Sequence, residues 1–164
     1  MSGQMEIDSR TFRDTLGRFG SGVVIVTANY ESAPIGFVMQ SFMSLSLDPP
    51  LIAVAPAKSS SSWPKIREVG QFCVNILAAD QLDLCRTFSS PCEDRFAGIE
   101  IETGATGAPR LPGAIAYIDC DLEREHDAGD HTLAIGRVRD LSVNTGERAP
   151  LLFYSGQYGR FSAD

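Results

Sequence analysis

The stretch from Pro34 to Trp63, PIGFVMQSFMSLSLDPPLIAVAPAKSSSSW, limits the folds open to this chain more than any other. From Ile35 onward the residues alternate. Ile35, Phe37, Met39, Met43, Leu45 and Leu47 share one face of an extended strand. Gly36, Gln40, Ser44 and Ser46 take the other, with Val38 and Phe42 among them. Asp48-Pro49-Pro50 then stops the strand, because two prolines remove consecutive donors and fix φ. Leu51 to Ala55 is a short apolar run of the kind a fully covered strand shows. Lys58, the serines Ser59 to Ser62 and a helix starting near Trp63-Pro64 come next.

A small, polar strand face that leads to a hydroxyl-rich loop and a helix start suits a flat, hydrogen-bonding ligand with an anionic tail. Free N–H groups and the positive end of the helix dipole would hold phosphate there. Serine clusters ahead of helices are common, so these residues alone leave an ordinary hairpin with a solvated, N-capped loop open.

At 164 residues and 43% hydrophobic content, the chain reads as a single domain over 1–164 with a substantial core. Residues 1–8 are expected to form a flexible tail. A net charge of −7 argues against nucleic acid or an anionic membrane surface as the main partner. No apolar run approaches the roughly 18 residues that span a bilayer. MSGQMEIDSR has no signal-peptide pattern, so a cytoplasmic location is expected. Cys73, Cys85, Cys92 and Cys120 show no C-x-x-C spacing. Cys73 and Cys120 read as buried thiols within strands and Cys92 as exposed, with neither zinc nor a disulfide framework supported.

In order, Asp8 or Ser9 caps a first helix bearing Phe12, Leu16 and Phe19, and Gly20-Ser21-Gly22 ends it. Val23 to Ala28 is a β-branched strand, and Asn29 to Pro34 a turn. The helix after the serines stops near Gly70. Gln71 to Leu77 is a strand, and Asp80 caps a helix carrying Leu84 and Phe88. Ser89 to Gly113 is an irregular excursion that holds Phe96, Ile99 and Ile101. Ala114 to Leu122 alternates against Asp119, Asp121, Glu123 and Glu125, which predicts a half-buried strand with an acidic outer face. His126 to His131 connects it to a strand over Thr132 to Val143, and Leu151 to Tyr154 is the last strand. About seven strands and about three short helices without regular crossovers predict a mainly β, α+β fold: a mostly antiparallel sheet closed into a barrel.

Gly17-x-x-Gly20-x-Gly22 and Gly104-x-x-Gly107 lack the spacing and setting of a dinucleotide fingerprint, and no Walker loop occurs. His126 and His131 with Asp127 and Asp130 could be imagined as metal ligands, but two histidines in a connecting loop are more often solvated. No serine elbow or Cys-His arrangement is present. An enzyme built from these residues would rely on an organic cofactor for its chemistry.

Taken together, FRDTLGRFGSGVVIVTA, the Pro34–Trp63 stretch, FCVNILAADQ, DRFAGIE, LPGAIAYIDC, DAGDHTLAIGRV and PLLFYSGQY resemble the short-chain NAD(P)H:flavin oxidoreductases. These are the reductase components of two-component flavin-dependent monooxygenases, with the FMN-binding split-barrel fold. The likeness runs from Phe12 to Tyr158 and is nearest to reductases serving steroid-ring and phenol hydroxylases. It implies a homodimer that reduces FMN or FAD with NADH or NADPH and passes the reduced flavin to a separate oxygenase acting on an aromatic or steroid-derived substrate. Gly36, Phe37, Val38, Met39, Gln40, Ser41 and Phe42 would lie along the isoalloxazine, with Gln40 and Ser41 bonding its polar edge. Ala55, Pro56, Ala57, Lys58 and the serines through Ser61 and Ser62 would hold the ribityl chain and phosphate. Arg95 would approach the phosphate, His131 would lie near the nicotinamide, and Tyr154 would stand at the dimer-facing edge.

Many members of that family have Thr where this chain has Val38, so a side-chain bond to the flavin is absent. Hydride transfer needs the two rings stacked at about 3–3.5 Å, which is mainly a positioning task. Gly36 and Ser41 are small enough to permit that approach. A histidine bonded to Asp130, solvated Lys58 and Arg95, and a Trp63 that only packs the core remain open at this stage. So do two other functions on the same fold: a flavin-dependent reductase of a corrinoid or quinone, and a flavin-storage protein.

Overall fold

The computed structural model describes residues 6–164; of the tail expected at 1–8, residues 1–5 lie outside the described residues. Asp8 caps α1 (Ser9–Leu16), its carboxylate accepting from the N–H groups of Arg10 and Thr11. The apolar side of α1 nevertheless finds no core: Phe12 and Leu16 are exposed, and Phe19 beyond the helix is 84% exposed.

After β1 (Ser21–Gly22), the strands β2 (Val24–Tyr30) and β3 (Ala33–Met39) form a hairpin whose turn residues, Glu31 and Ser32, both have positive φ. The turn is thus shorter than the span Asn29 to Pro34 suggests. β4 (Phe42–Ser46) pairs with β5 (Leu51–Val54), and α2 (Trp63–Val69) leads through a left-handed Gly70 into β6 (Gln71–Ile76). A 3-10 turn at Ala79–Gln81 precedes α3 (Leu82–Ser89), and β7 (Glu102–Thr103) pairs with β8 (Pro109–Arg110). The long strands β9 (Ala116–Ala128) and β10 (His131–Val143) meet in a two-residue turn at Gly129 and Asp130. β11 (Leu151–Tyr154) and β12 (Gln157–Arg160) close the chain.

The main sheet is antiparallel throughout, in the order β3-β2-β6-β9-β10-β5-β4, and a smaller one runs β1-β11-β12. The two ends of the main sheet, β3 and β4, are separated in the chain only by Gln40 and Ser41. A seven-stranded sheet whose edges are joined by two residues must curl until they meet, as a split barrel does. The expected mostly antiparallel barrel of α+β type is the fold observed, but the strand expected from Ile35 to Leu47 is two strands. Its apolar face divides accordingly. Ile35, Phe37 and Met39 pack in the core, whereas Met43, Leu45 and Leu47 are exposed, Leu47 by 93%.

Both faces of β2 are covered, which is why it is a β-branched run. Val24 and Val26 join Phe72, Val74, Ile118 and Trp63 in one cluster; Val23 and Ile25 meet Leu77, Cys85, Phe88 and Leu111 in a second. The acidic outer face expected on β9 is corrected by the excursion that folds over it. Asp119 is fully buried, paired with Arg110 and in contact with Thr106 Oγ1. Asp80 does not cap α3; it takes a bidentate ion pair from Arg148 instead. Cys73 and Cys120 are buried as expected. Burial, aided by Asp119, pushes the Cys73 thiol up, and burial pushes that of Cys120 up to about 12, so neither is a ready nucleophile. No helix among the described residues is long and apolar enough to cross a membrane.

Candidate functional site

A cleft of about 650 Å3 opens where the two sheet edges meet. Phe37, Val38 and Met39 line it from β3, and Gln40 and Ser41 from the link between the edges. Ala55, Pro56 and Ala57 contribute from the end of β5, and Ser59 to Ser62 from the loop before α2. Phe88 and Ser89 of α3, Arg95, His131 and Tyr158 complete the lining.

Hydrogen bonds hold these stretches in register. The Ser41 hydroxyl donates to the Ala55 carbonyl at 3.0 Å and accepts from the Ala55 N–H at 3.2 Å. Ser41 thus fastens one edge to the other rather than offering a free hydroxyl. The tip of the β9–β10 hairpin is tied down as well. Lys58 N–H donates to the Asp130 carbonyl and Thr132 N–H to that of Pro56, each at 2.9 Å. The Lys58 ammonium pairs with Asp127, and His131 Nδ1 lies 2.7 Å from Asp130 Oδ1. That imidazole holds the Asp130 carboxyl below its usual range.

At the start of α2 the Ser60 hydroxyl accepts from the N–H groups of Ser62 and Trp63, at 3.3 and 3.2 Å. The free N–H groups expected there are therefore occupied by a serine turn. Among the described residues, the hydroxyls of Ser59, Ser61 and Ser62 carry no hydrogen bond and are available to a ligand. Trp63 begins α2 from inside the core, its indole N–H donating to Glu125 Oε1 at 2.6 Å. Arg67, one turn on, donates to Glu125 Oε2 at 2.6 Å. Arg95 donates to the Gly36 carbonyl at 2.8 Å and to that of Ser90 at 3.2 Å, leaving its buried Nε without a partner.

Phe37, Val38, Met39, Gln40, Ser41, Ala55, Pro56, Ala57, Ser61, Ser62, Arg95 and His131 are brought to this one cleft from five separate stretches of the sequence. Gly36 lies just behind it under Arg95, Phe42 lines smaller apolar hollows on the far side of the link, and Lys58 turns to Asp127. Tyr154 stands apart, exposed and close to Gly20. Sequence reasoning missed Phe88, Ser89 and Tyr158. Tyr158 had a signal: Ser155-Gly156 is a hairpin dipeptide, and both residues adopt positive φ. Its ring packs edge-on against Phe153 at 5.0 Å, and its hydroxyl lies 3.6 Å from Cys85 Sγ. Phe88 has the spacing of any core helix residue and gave no such cue.

Unbonded serine hydroxyls, the orphaned Arg95 Nε and a slot walled by Phe37, Val38 and Phe88 fit a planar cofactor carrying phosphate. The family model of the flavin reductase like domain matches residues 16–162. The reductase subunit HsaB of a flavin-dependent monooxygenase from Rhodococcus jostii is 49% identical over 96% of this chain and 80% of its own length. The FMN reductase (NADH) SmoA of Agrobacterium fabrum is 42% identical over 94% of this chain and 87% of its own. Among solved structures, nitrilotriacetate monooxygenase component B from Mycobacterium thermoresistibile superposes with a TM-score of 0.92 at 46% identity, covering 94% of this chain and 87% of that one. A match of this length, on a split barrel with a cleft at its seam, places the chain in the flavin reductase family.

Proposed function

We propose that this protein is an NAD(P)H:flavin oxidoreductase, using NADH in the first instance, that supplies reduced FMN or FAD to a separate monooxygenase component. The observation that carries this reading is the cleft itself, which gathers polar link, serine loop, Arg95 and His131 beside an apolar slot. Flavin, when bound, supplies the acceptor for a nicotinamide hydride. The protein's part is positioning. Phe37, Val38 and Phe88 wall the slot, and Gln40, exposed at its end, has a free amide for the ring's polar edge. Ser59, Ser61, Ser62 and Arg95 offer hydroxyls and a guanidinium to phosphate. His131, tethered by Asp130, stands at the mouth for the second cofactor.

The protein is further read as cytoplasmic and as a homodimer, the latter because apolar side chains such as Phe19 and Leu47 are 84% and 93% exposed in the single chain. Leu47→Asp is expected to give a monomer by sedimentation; a dimer unchanged by it would place the interface elsewhere. Purified protein mixed with NADH and excess FMN or FAD should oxidise the nicotinamide without any other substrate. Oxidation that requires a corrinoid or quinone, or a flavin-bound protein inert to both nicotinamides, would overturn the assignment.

A further inference from the structure

The excursion that carries Arg95 leaves the barrel after α3, and its return leg is held at three consecutive residues by side chains of the main sheet. Thr27 Oγ1 of β2 donates to the Pro109 carbonyl. The Arg110 guanidinium pairs with Asp119 of β9 and Asp140 of β10. Leu111 N–H donates to Asn75 Oδ1 at 2.8 Å, and the Leu111 carbonyl accepts from the Tyr117 hydroxyl at 2.6 Å. Asn75 joins these contacts. It is fully buried in β6, and its Nδ2 donates to the Ile25 carbonyl at 2.9 Å and to Thr27 Oγ1 at 3.0 Å. A carboxamide so deep in the core is tolerated because both its oxygen and its nitrogen are bonded.

Two routes lead from Asn75 to Arg95. Leu111 packs in one cluster with Phe96 and Phe88, whose rings meet edge-on at 4.9 Å. Phe96 follows Arg95 in the chain, and Phe88 lines the cleft. Along the second route, Thr27 stands opposite Gly36 in the β2–β3 ladder, and the Gly36 carbonyl accepts from Arg95 Nη1 at 2.8 Å. We propose that Asn75 is a positioning residue for the flavin phosphate: it fixes the excursion on the sheet and so holds the Arg95 guanidinium at the cleft wall. Asn75 does not line the cleft, so its effect passes through Arg95. The inference rests on the flavin reading of the cleft and deepens it by naming what sets the arginine.

The test compares FMN with riboflavin, which has the same ring and ribityl chain but no phosphate. Asn75→Asp is nearly isosteric, and burial raises its carboxyl above the ordinary range. Protonated, that group donates and accepts as the amide does; ionised, it cannot donate, and the Ile25 carbonyl loses its partner. Cys73, Tyr117 and the Arg110–Asp119 pair are the titratable groups packed around this position, and both proteins share them. Wild-type affinity at each pH therefore cancels their titration and that of the phosphate. Relative to wild type, Asn75→Asp is expected to bind FMN about tenfold more weakly at about pH 9 and within about twofold at about pH 5.5, the scale of one charge-assisted hydrogen bond. Riboflavin should stay within about twofold throughout.

In an Arg95→Ala background, adding Asn75→Asp should change FMN affinity by less than about twofold, because the route is already cut. Thr27→Val keeps the shape and drops the hydroxyl; it is expected to weaken FMN about threefold and spare riboflavin, and it carries the test where Asn75→Asp does not fold. Equal weakening of FMN and riboflavin, a deficit that ignores pH in Asn75→Asp, losses that add in the double variant, or wild-type FMN affinity in these variants would each overturn the proposal. Failure of the underlying flavin reading looks different: wild-type protein would bind neither FMN nor riboflavin.

Discussion

Removing Glu125 should loosen the cleft from behind, and the structure sets the size of the effect. Trp63 is 2% exposed and its indole N–H has one acceptor, Glu125 Oε1. Glu125→Ala leaves that donor buried and unsatisfied, a loss of about 1–3 kcal/mol. The same change removes the Arg67 pair, but the Arg67 side chain is 46% exposed, so water screens it to at most about 1 kcal/mol. The sum is about 1–4 kcal/mol. Glu125→Gln keeps an acceptor for the indole and loses only the charge, so it should cost about 1 kcal/mol or less. Urea unfolding read by tryptophan fluorescence suits this pair, since Trp63 is the sole tryptophan. Trp63 directly follows the serines that line the cleft, so flavin affinity should fall in the same order. Glu125→Ala within about 0.5 kcal/mol of wild type, or indistinguishable from Glu125→Gln, would refute the reasoning.

A Cβ added at Gly36 would stand 3.1 Å from Thr27 Cγ2 and the Val26 carbonyl and 3.2 Å from Phe88 Cε1. Gly36→Ala should therefore cost about 1–2 kcal/mol in denaturant and, by displacing Phe88, weaken flavin binding; an unchanged midpoint would show that β3 can yield. His131→Ala should raise KM for NADH about threefold to tenfold, on the scale of one partly exposed contact, and that for flavin less; the reverse pattern removes His131 from the nicotinamide side. Acid should act through Glu125 and Asp121. Burial works to raise the Glu125 carboxyl, but hydrogen bonds from Arg67 and Trp63 outweigh it and leave it below its ordinary 4.5. A hydrogen bond from Gln71, with one from Arg139, does the same for Asp121 against an ordinary 3.8. Both folded values are depressed, so their stabilisation is complete above about pH 5 and drains away as pH falls through them. Denaturant midpoints should be flat from pH 7 to about 5 and drop below about 4.5, less steeply in Glu125→Gln with Asp121→Asn; identical slopes would assign acid sensitivity to other groups.

Most strands were legible because their side chains obey a local rule. Gln71 to Ile76 and His131 to Val143 alternate or run apolar according to how many faces are covered, and Gly70 ends α2 in the left-handed conformation its position predicts. What misled was charge read without its partner. Asp119 looks like a solvent-facing residue until Arg110, nine positions earlier, folds over it. Lys58, expected beside the phosphate, also meets a carboxylate its sequence neighbours do not announce, because the β9–β10 hairpin brings Asp127 beside it. Local periodicity cannot report either event, since both depend on which loop crosses which strand. The residues of the cleft were largely found, but the hydroxyl of Ser41 and the N–H groups before α2 had been expected to face a ligand and are used within the chain.

The break at Gln40 and Ser41 accounts for both the error in the strand assignment and the location of the cleft. In the sequence only Ser41, a polar residue on the otherwise apolar face, interrupts the alternation at the link, yet here the chain passes from one end of the main sheet to the other. Two residues that belong to neither ladder must find other partners for their backbone groups. The Gln40 carbonyl accepts from Phe42 N–H at 2.9 Å, and the Ser41 hydroxyl and carbonyl both engage Ala55 N–H. Satisfied in this way, the backbone of the link holds the seam open between β3 and the Ala55–Ala57 segment. A continuous strand there would have put ladder hydrogen bonds where a flat cofactor needs a slot. The seam gives the slot rigid walls on two sides, and only the serine loop, Arg95 and the tethered hairpin tip remain to decide what enters it.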